Sequence, residues 1–335
     1  MLVETRTLKV ISSIMKDELI NPSEIMNTLI SENILIKTDD GTYSLRSEKK
    51  DELMHSTMGA MSEAFEKFAI PSGINELEKP ILLDLCSGLG YNSLAALIHN
   101  KDVSIDMVEI SKEIIFISQF LSLNYEEHAI LKKAVSDYFL SNDNAKINIF
   151  CSDARKMMKN KPFSNYDVVF HDGFSPANDP VLYTVEFLKL LYHHMNDNAV
   201  LLSYSSSIPF RSSLIEAGFY IGEGPAVGRK RGITIAAKDE YDKRLTKRLP
   251  SSDELLISLS TIGIPFHDKN LSGTTDLILK EREIKRNFLK EKKIYLSTKQ
   301  IKKRNIDKHY FHIMESATNS RDAVIALKTY HKRNR

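Results

Sequence analysis

Cysteine is scarce. Only Cys86 and Cys151 occur in 335 residues, which excludes a disulfide scaffold and favours a reducing compartment such as the cytoplasm. Glycine (13) and proline (10) are also few, so collagen-like and low-complexity classes are excluded. No run of about 18 apolar residues exists, so no membrane span is expected. The opening MLVETRTLKV lacks the apolar core of a signal peptide. Metal-ligand spacing is missing too: His193 and His194 are adjacent and point to different faces of a helix, and the two thiols show no zinc pattern. No metal is expected. What is present is an ordinary globular mix, 42% hydrophobic and 27% charged, long enough for about two domains.

The net charge of +2 conceals an asymmetry. Residues 281–335 hold 16 Lys and Arg against 6 Asp and Glu; the other 280 hold 30 against 38. A mildly acidic body with a strongly basic end suits a polyanionic partner, or a solvated helical face.

Three regions follow from the patterning. Residues 1–45 read as two short helices and a hairpin. VISSIMKDEL has apolar residues at helical spacing, Pro22 opens a second helix, and Asp39-Asp40-Gly41 joins two β-rich runs. A winged-helix-like arrangement fits this segment. Residues 46–238 alternate strands with helices: ILLDL, VSIDMVEI, KINIFC, YDVVFHD, AVLLSYS, FYIGEG and ITIAA, with helical patterns between the earlier ones. Such alternation predicts a parallel sheet covered on both faces. The last two strands are linked by a Gly-rich turn instead of a helix, so they pair antiparallel. Residues 239–335 are Lys-rich and mainly helical.

The segment ILLDLCSGLGYNSLAAL carries the most information. A buried strand ends at Asp84, small residues follow (Cys86, Ser87, Gly88, Gly90), and a helix begins near Asn92. Such loops bind nucleotides at the edge of open α/β sheets. A dinucleotide loop wants a third glycine that is missing here. An acid opening the loop suits a ligand with a cationic end, such as S-adenosylmethionine (SAM). Glu109 ends the next strand about 20 residues on, placed for the ribose hydroxyls. Asp153 follows the third strand, where it could accept from an adenine amine or cap the helix behind it. In HDGFSPANDP, a fourth strand delivers Asp172 to the same edge, with Phe174 beside it. A carboxylate next to an aromatic ring suits an amine on a planar base, the ring stacking and the carboxylate orienting.

These residues resemble the methyltransferase part of MnmC-type tRNA-modifying enzymes, which methylate 5-aminomethyl(-2-thio)uridine at the wobble position. The resemblance rests on DGTYSLRSEKKDELMHSTMGAMSEAFEKF, LLDLCSGLGYNSL, HDGFSPANDPVLYT and AGFYIGEGPAVGRKRGITIA, together about residues 33 to 240. It implies an α/β, Rossmann-like class I SAM-dependent methyltransferase fold with seven strands, the last antiparallel. It implies SAM as cofactor, and for methyl transfer to a neutral amine Asp172 is the group expected to hold the amine and accept its proton, directly or through water. Asp84, Cys86, Gly88, Gly90, Tyr91, Asn92, Glu109 and Asp153, with His55 and Glu63 from the entry segment, form the expected cofactor set. Phe174, Arg229, Lys230 and Arg231 are the expected contacts to a tRNA anticodon loop. Cys86 stands where the family loop has its first glycine. No Gly-x-Gly-x-x-Gly follows Ala237, and the remaining stretch is too short for the flavin oxidase domain often fused to the bacterial enzymes, so no FAD is expected.

Other readings stay open. The same sheet could serve a small-molecule methyltransferase. An aminopropyltransferase would want a second acid near the amine, and Asp179 is available. A non-catalytic RNA-binding protein with a SAM-like fold is the third, although the retained acids speak against it.

Overall fold

The computed structural model describes residues 5–16, 21–45, 59–162, 164–228 and 230–334. It opens with α1 (Thr5–Ile14), α2 (Pro22–Ser31) and a hairpin of β1 (Leu35–Lys37) and β2 (Tyr43–Leu45). Helix α2 starts with a capping box: Glu24 N donates to Asn21 Oδ1 (2.9 Å) and Asn21 N to Glu24 Oε2 (3.4 Å). Helix α1 lies five residues earlier than VISSIMKDEL predicted, because Thr7, Ile11 and Ile14 form its buried stripe.

The hairpin turn clamps the next helical segment. That segment runs through α3 (Ala60–Glu63), a π-helical turn (Ala64–Ala69) and α4 (Ile70–Ser72). Asp40 Oδ1 accepts from Thr42 N, Thr42 Oγ1 and Thr38 Oγ1, at 2.7 to 3.0 Å. Its Oδ2 accepts from Ser62 N at 3.1 Å, and Thr42 Oγ1 accepts from Ala60 N at 3.0 Å. Gly59 enters this clamp at φ +127°, where an added Cβ would stand 1.9 Å from Asp40 Cγ. The carboxylate cannot retreat without breaking its bonds. Gly59→Ala should therefore cost on the order of 2–4 kcal/mol in thermal denaturation. The same change made on an Asp40→Ala background should cost clearly less; equal costs would mean that the clamp is not the cause.

The remaining seven strands are β3 (Ile81–Leu85), β4 (Ser104–Glu109), β5 (Ile147–Cys151), β6 (Tyr166–His171), β7 (Met195–Ser203), β8 (Tyr220–Glu223) and β9 (Thr234–Ala237). They follow the order β5-β4-β3-β6-β7-β9-β8. All seven strand segments expected from the sequence are present, and β9 is antiparallel to both of its neighbours. The helices interleaved with them are α5 (Tyr91–His99), α6 (Lys112–Ser118), α7 (His128–Phe139), α8 (Ala154–Asn160), α9 (Val185–His194) and α10 (Ile208–Ala217). Helix α7 was not foreseen. Its apolar face is narrow, Leu131, Ala134 and Val135, and α6 already fills the crossover from β4 to β5.

The chain divides into two compact units. The first comprises Met1–Met157, Tyr166–Phe174 and Val227–Lys230. Its central strand β3 is parallel to β4 on one side and to β6 on the other. Leu82, Leu83, Leu85, Val168, Val169 and Phe170 are fully buried there, as expected of strands covered on both faces. The strand order reverses between β4 and β6, so the loop after β3 sits at a topological switch point.

The second unit comprises Met158–Asn165, Ser175–Ala226 and Arg231–Arg335. It contains β7, β9 and β8, and the helices α11 (Ser251–Leu259), α12 (Thr275–Glu291), α13 (Thr298–Lys302), α14 (Lys308–Glu315) and α15 (Ser320–Arg333). The basic end is a folded part of this unit. Helix α11 packs on α10 and α15; its Leu255, Leu256, Ile257 and Leu259 are buried, as are Val324 and Leu327 of α15. Arg211, wholly buried, donates to Asp253 Oδ2 (2.6 Å) and Thr234 Oγ1 (2.9 Å). Arg248 grips Glu254 through two bonds and caps the carbonyls of Met314 and Ala317. Among the described residues no helix is long and apolar enough to cross a membrane, and no cluster of three or more potential metal ligands occurs.

Candidate active site

The first unit brings the acidic side chains singled out in the sequence to the carboxyl ends of β3, β4 and β6. Asp84, next to last in β3, is fully buried. Ser93 Oγ, in the first turn of α5, donates to its Oδ2 at 2.6 Å. Burial pushes its pKa up to about 7, against that Ser93 bond and with the charges of Asp172 and Glu109 adding to the rise. Among the described residues its other oxygen, Oδ1, is buried without a hydrogen-bond partner, and so is Ser87 Oγ in the loop. A carboxyl pair of lone electron pairs left unmet in the interior is costly unless a ligand meets it.

Glu109 ends β4 and is held by backbone donors. Ile110 N and Ser111 N donate to Oε1 (2.8 and 2.9 Å), and Gly88 N of the loop donates to Oε2 (3.1 Å). Burial still leaves its pKa raised despite those three bonds. Oε2 keeps a lone-pair direction for one more donor, such as a ribose hydroxyl. The loop itself is tight. Gly90 has φ +85°, so its backbone conformation favours glycine, and a Cβ there would push on Leu131 Cδ2 of α7 at 2.8 Å.

Cys86 has φ +60°, a left-handed conformation that costs a residue with a side chain about 1–2 kcal/mol. The thiol is small enough to persist there. Cys86→Gly should keep ligand affinity within about threefold and leave the melting temperature unlowered, whereas the β-branched Cys86→Val should weaken both. Calorimetric titration and thermal melts read the two effects; a lower melting temperature in the glycine variant would remove strain as the explanation.

Asp172 follows β6 directly. Its N–H donates to Leu85 O (3.2 Å), continuing the ladder with β3, and its Oδ2 accepts from Asn92 Nδ2 at 2.8 Å. Phe174, two residues on, is half-buried. The other expected cofactor residues have protein partners of their own. Tyr91 is buried, and its hydroxyl donates to Tyr43 O (2.8 Å) and accepts from Tyr43 N (3.0 Å), tying α5 to the hairpin. Glu63 pairs with the buried Lys67 at 2.9 Å. Burial pushes the Asp153 carboxyl up, but the bonds donated by Arg155 outweigh it and hold it below its usual range. Arg155 N and Nε meet Asp153 Oδ1 (2.9 and 3.1 Å), and Nη2 meets Oδ2 (2.7 Å). His55 and Arg229 lie outside the described residues. Lys230 is exposed, whereas Arg231 is ion-paired to Asp253. Asp179, the acid an aminopropyltransferase would use, accepts from Thr275 Oγ1 at 2.9 Å.

Sequence reasoning missed Ser93 and Arg155. Both stand beside a named acid: Ser93 follows Asn92, and Arg155 lies two residues past Asp153. A hydroxyl in the first turn behind a glycine loop is the signal that points back at the strand.

The donor set fits a ligand with an ammonium or sulfonium charge. Asp84, Glu109 and Asp172 put negative charge around one loop, and a cation relieves both their mutual repulsion and the unmet Asp84 oxygen. A sheet of this order with acids at these strand ends is the class I SAM-dependent methyltransferase fold.

The comparisons with known proteins agree. Residues 117–239 match the family model described as S-adenosyl-L-methionine-dependent methyltransferase. An uncharacterised protein of Methanocaldococcus jannaschii is 46% identical, over 98% of this chain and 96% of its own. The tRNA 5-methylaminomethyl-2-thiouridine biosynthesis bifunctional protein MnmC of Ralstonia nicotianae is 25% identical over 57% of this chain. That match covers 32% of the bifunctional protein, so the chain spans about a third of its length. The crystal structure of MNMC2 from Aquifex aeolicus superposes with a TM-score of 0.61 at 26% identity, covering 83% of this chain and 97% of that one. The chain belongs to one family with the Methanocaldococcus protein, carries a SAM-dependent methyltransferase domain, and is similar to the MnmC enzymes.

Proposed function

We propose that this enzyme methylates the amine of a 5-aminomethyl(-2-thio)uridine at the tRNA wobble position, in the cytoplasm. The observation that carries the reading is the placement of Asp172. It directly follows β6 within HDGFSPANDP, the stretch most like the MnmC enzymes, and β6 lies next to the strand that delivers Asp84.

SAM supplies an already activated methyl group, so the protein's task is to bind, orient and keep water out. Asp84 Oδ1 would hold the ammonium of the cofactor's amino acid end, and Glu109 Oε2 would accept from its ribose. Asp172 holds the substrate amine and accepts its proton, because an ammonium has no lone pair to offer. Phe174 stacks on the uridine base. The exposed Lys230, with its neighbour Arg229, holds phosphates. Arg231 serves the turn more than the RNA, since Asp253 neutralises its charge.

The test is mass spectrometry of nucleosides after purified protein, SAM and tRNA are incubated together. The wobble aminomethyl nucleoside should gain one methyl group, and tRNA lacking the aminomethyl group should gain none. Methyl gain in both tRNAs, or in neither, contradicts the proposal.

A further inference from the structure

The first turn of α5 holds two acids at once. Gly90 opens the helix with no side-chain cap, and Tyr91, Asn92 and Ser93 occupy the first three positions. Ser93 Oγ reaches Asp84 Oδ2 at 2.6 Å, and Asn92 Nδ2 reaches Asp172 Oδ2 at 2.8 Å. Both donors are buried, Asn92 to 7% exposure. Consecutive residues thus each grip one of two carboxylates on adjacent strands. Those carboxylates repel one another, since the charge of Asp172 helps to raise the pKa of Asp84. A carboxylate only accepts, so the amide must turn its N–H₂ towards Asp172. A neutral donor steadies the anion without competing for the proton that Asp172 is to receive.

We propose that Asn92 is a positioning residue. Its side-chain amide orients the Asp172 carboxylate for the incoming amine, and the methyl donor is held by other groups. The proposal rests on reading Asp172 as the group that takes the amine's proton, and it replaces the expectation that Asn92 contacts the cofactor.

Two measurements on the full chain test it. The first follows the ¹³C signal of the Asp172 carboxyl, assigned through Asp172→Asn, over a pH titration without SAM. In Asn92→Ala its midpoint should move up by on the order of one pH unit, because a charge-assisted bond is lost. The second compares kcat, KM and SAM affinity. Asn92→Ala should lower kcat on the order of tenfold to a hundredfold and move the acid limb of its pH profile upward, with SAM Kd within about threefold. Asn92→Gln, which keeps an amide donor, should recover part of kcat. An unmoved carboxyl midpoint overturns the proposal. So does a SAM Kd weakened more than about tenfold with kcat retained at saturating SAM, which would make Asn92 a cofactor contact. If the wild-type protein leaves aminomethyl tRNA unmethylated, the substrate reading falls, and the carboxyl titration still decides the role of Asn92.

Discussion

Asp172→Ala is expected to lower methyl transfer on the order of a thousandfold while leaving SAM Kd within about threefold of wild type. The size follows from the chemistry. At neutral pH the substrate amine carries a proton that must leave before it can attack. A positioned carboxylate contributes typically 10²–10⁴-fold to such a transfer, about 3–5 kcal/mol of barrier. The selectivity follows from the geometry. Asp172 is gripped by Asn92 and by the ladder to Leu85, whereas the unmet acceptor that suits the cofactor's amino group is Asp84 Oδ1. Asp172→Asn should be nearly as inactive, since an amide is no base. Rate assays at saturating tRNA with titration calorimetry for SAM separate the two quantities. Equal losses in both would move Asp172 into the cofactor site and remove the proton acceptor from the mechanism.

SAM affinity should rise with pH and level off above about pH 7, and Asp84→Asn should abolish that dependence while weakening binding on the order of a hundredfold. The carboxyl is neutral below its raised pKa of about 7 and gives a cation little hold there. Below that pH, affinity falls about tenfold per unit, and binding takes up a proton-free Asp84, releasing its proton to solvent. The ligand-free protein should show the reverse trend. A group whose folded pKa lies above its ordinary value of 3.8 stabilises the fold fully at acid pH. That contribution is lost as pH rises from about 4 through about 7, by up to about 1.4 kcal/mol per unit. Asp84→Asn keeps an acceptor for Ser93 and carries no charge, so without ligand at pH 8 it should be more stable than wild type, on the order of 2 kcal/mol. Chemical denaturation at pH 5 and pH 8, with and without SAM, reads all four corners. A wild-type advantage without ligand at pH 8 would show that Asp84 is not a strained, ligand-awaiting acid.

The strands were legible because a parallel sheet buried on both faces writes itself as short apolar runs such as ILLDL and YDVVF. The acids were legible for a related reason: a carboxylate closing such a run has to leave the core at the ligand-binding edge. Their partners were not legible. Asn92 meets Asp172 across 80 positions and Tyr91 meets Tyr43 across 48, and spacing carries no signal over such separations. Asp153 shows the opposite case, where a short-range partner two residues away decides how the carboxylate is held. The charge surplus at the C-terminal end was a composition fact that folding partly consumes. Arg282 and Arg286 of α12 donate to the carbonyls of Ile264, Ile262 and Thr261, so they fasten the helix before they can meet a phosphate.

A structure with S-adenosylhomocysteine bound tests the account most directly. It should show the amino group on Asp84, a ribose hydroxyl on Glu109, and the sulfur facing the Asp172 carboxylate across a gap that admits a methyl group and an amine. A ligand seated away from the loop after β3, or a sulfur turned from Asp172, would contradict the account.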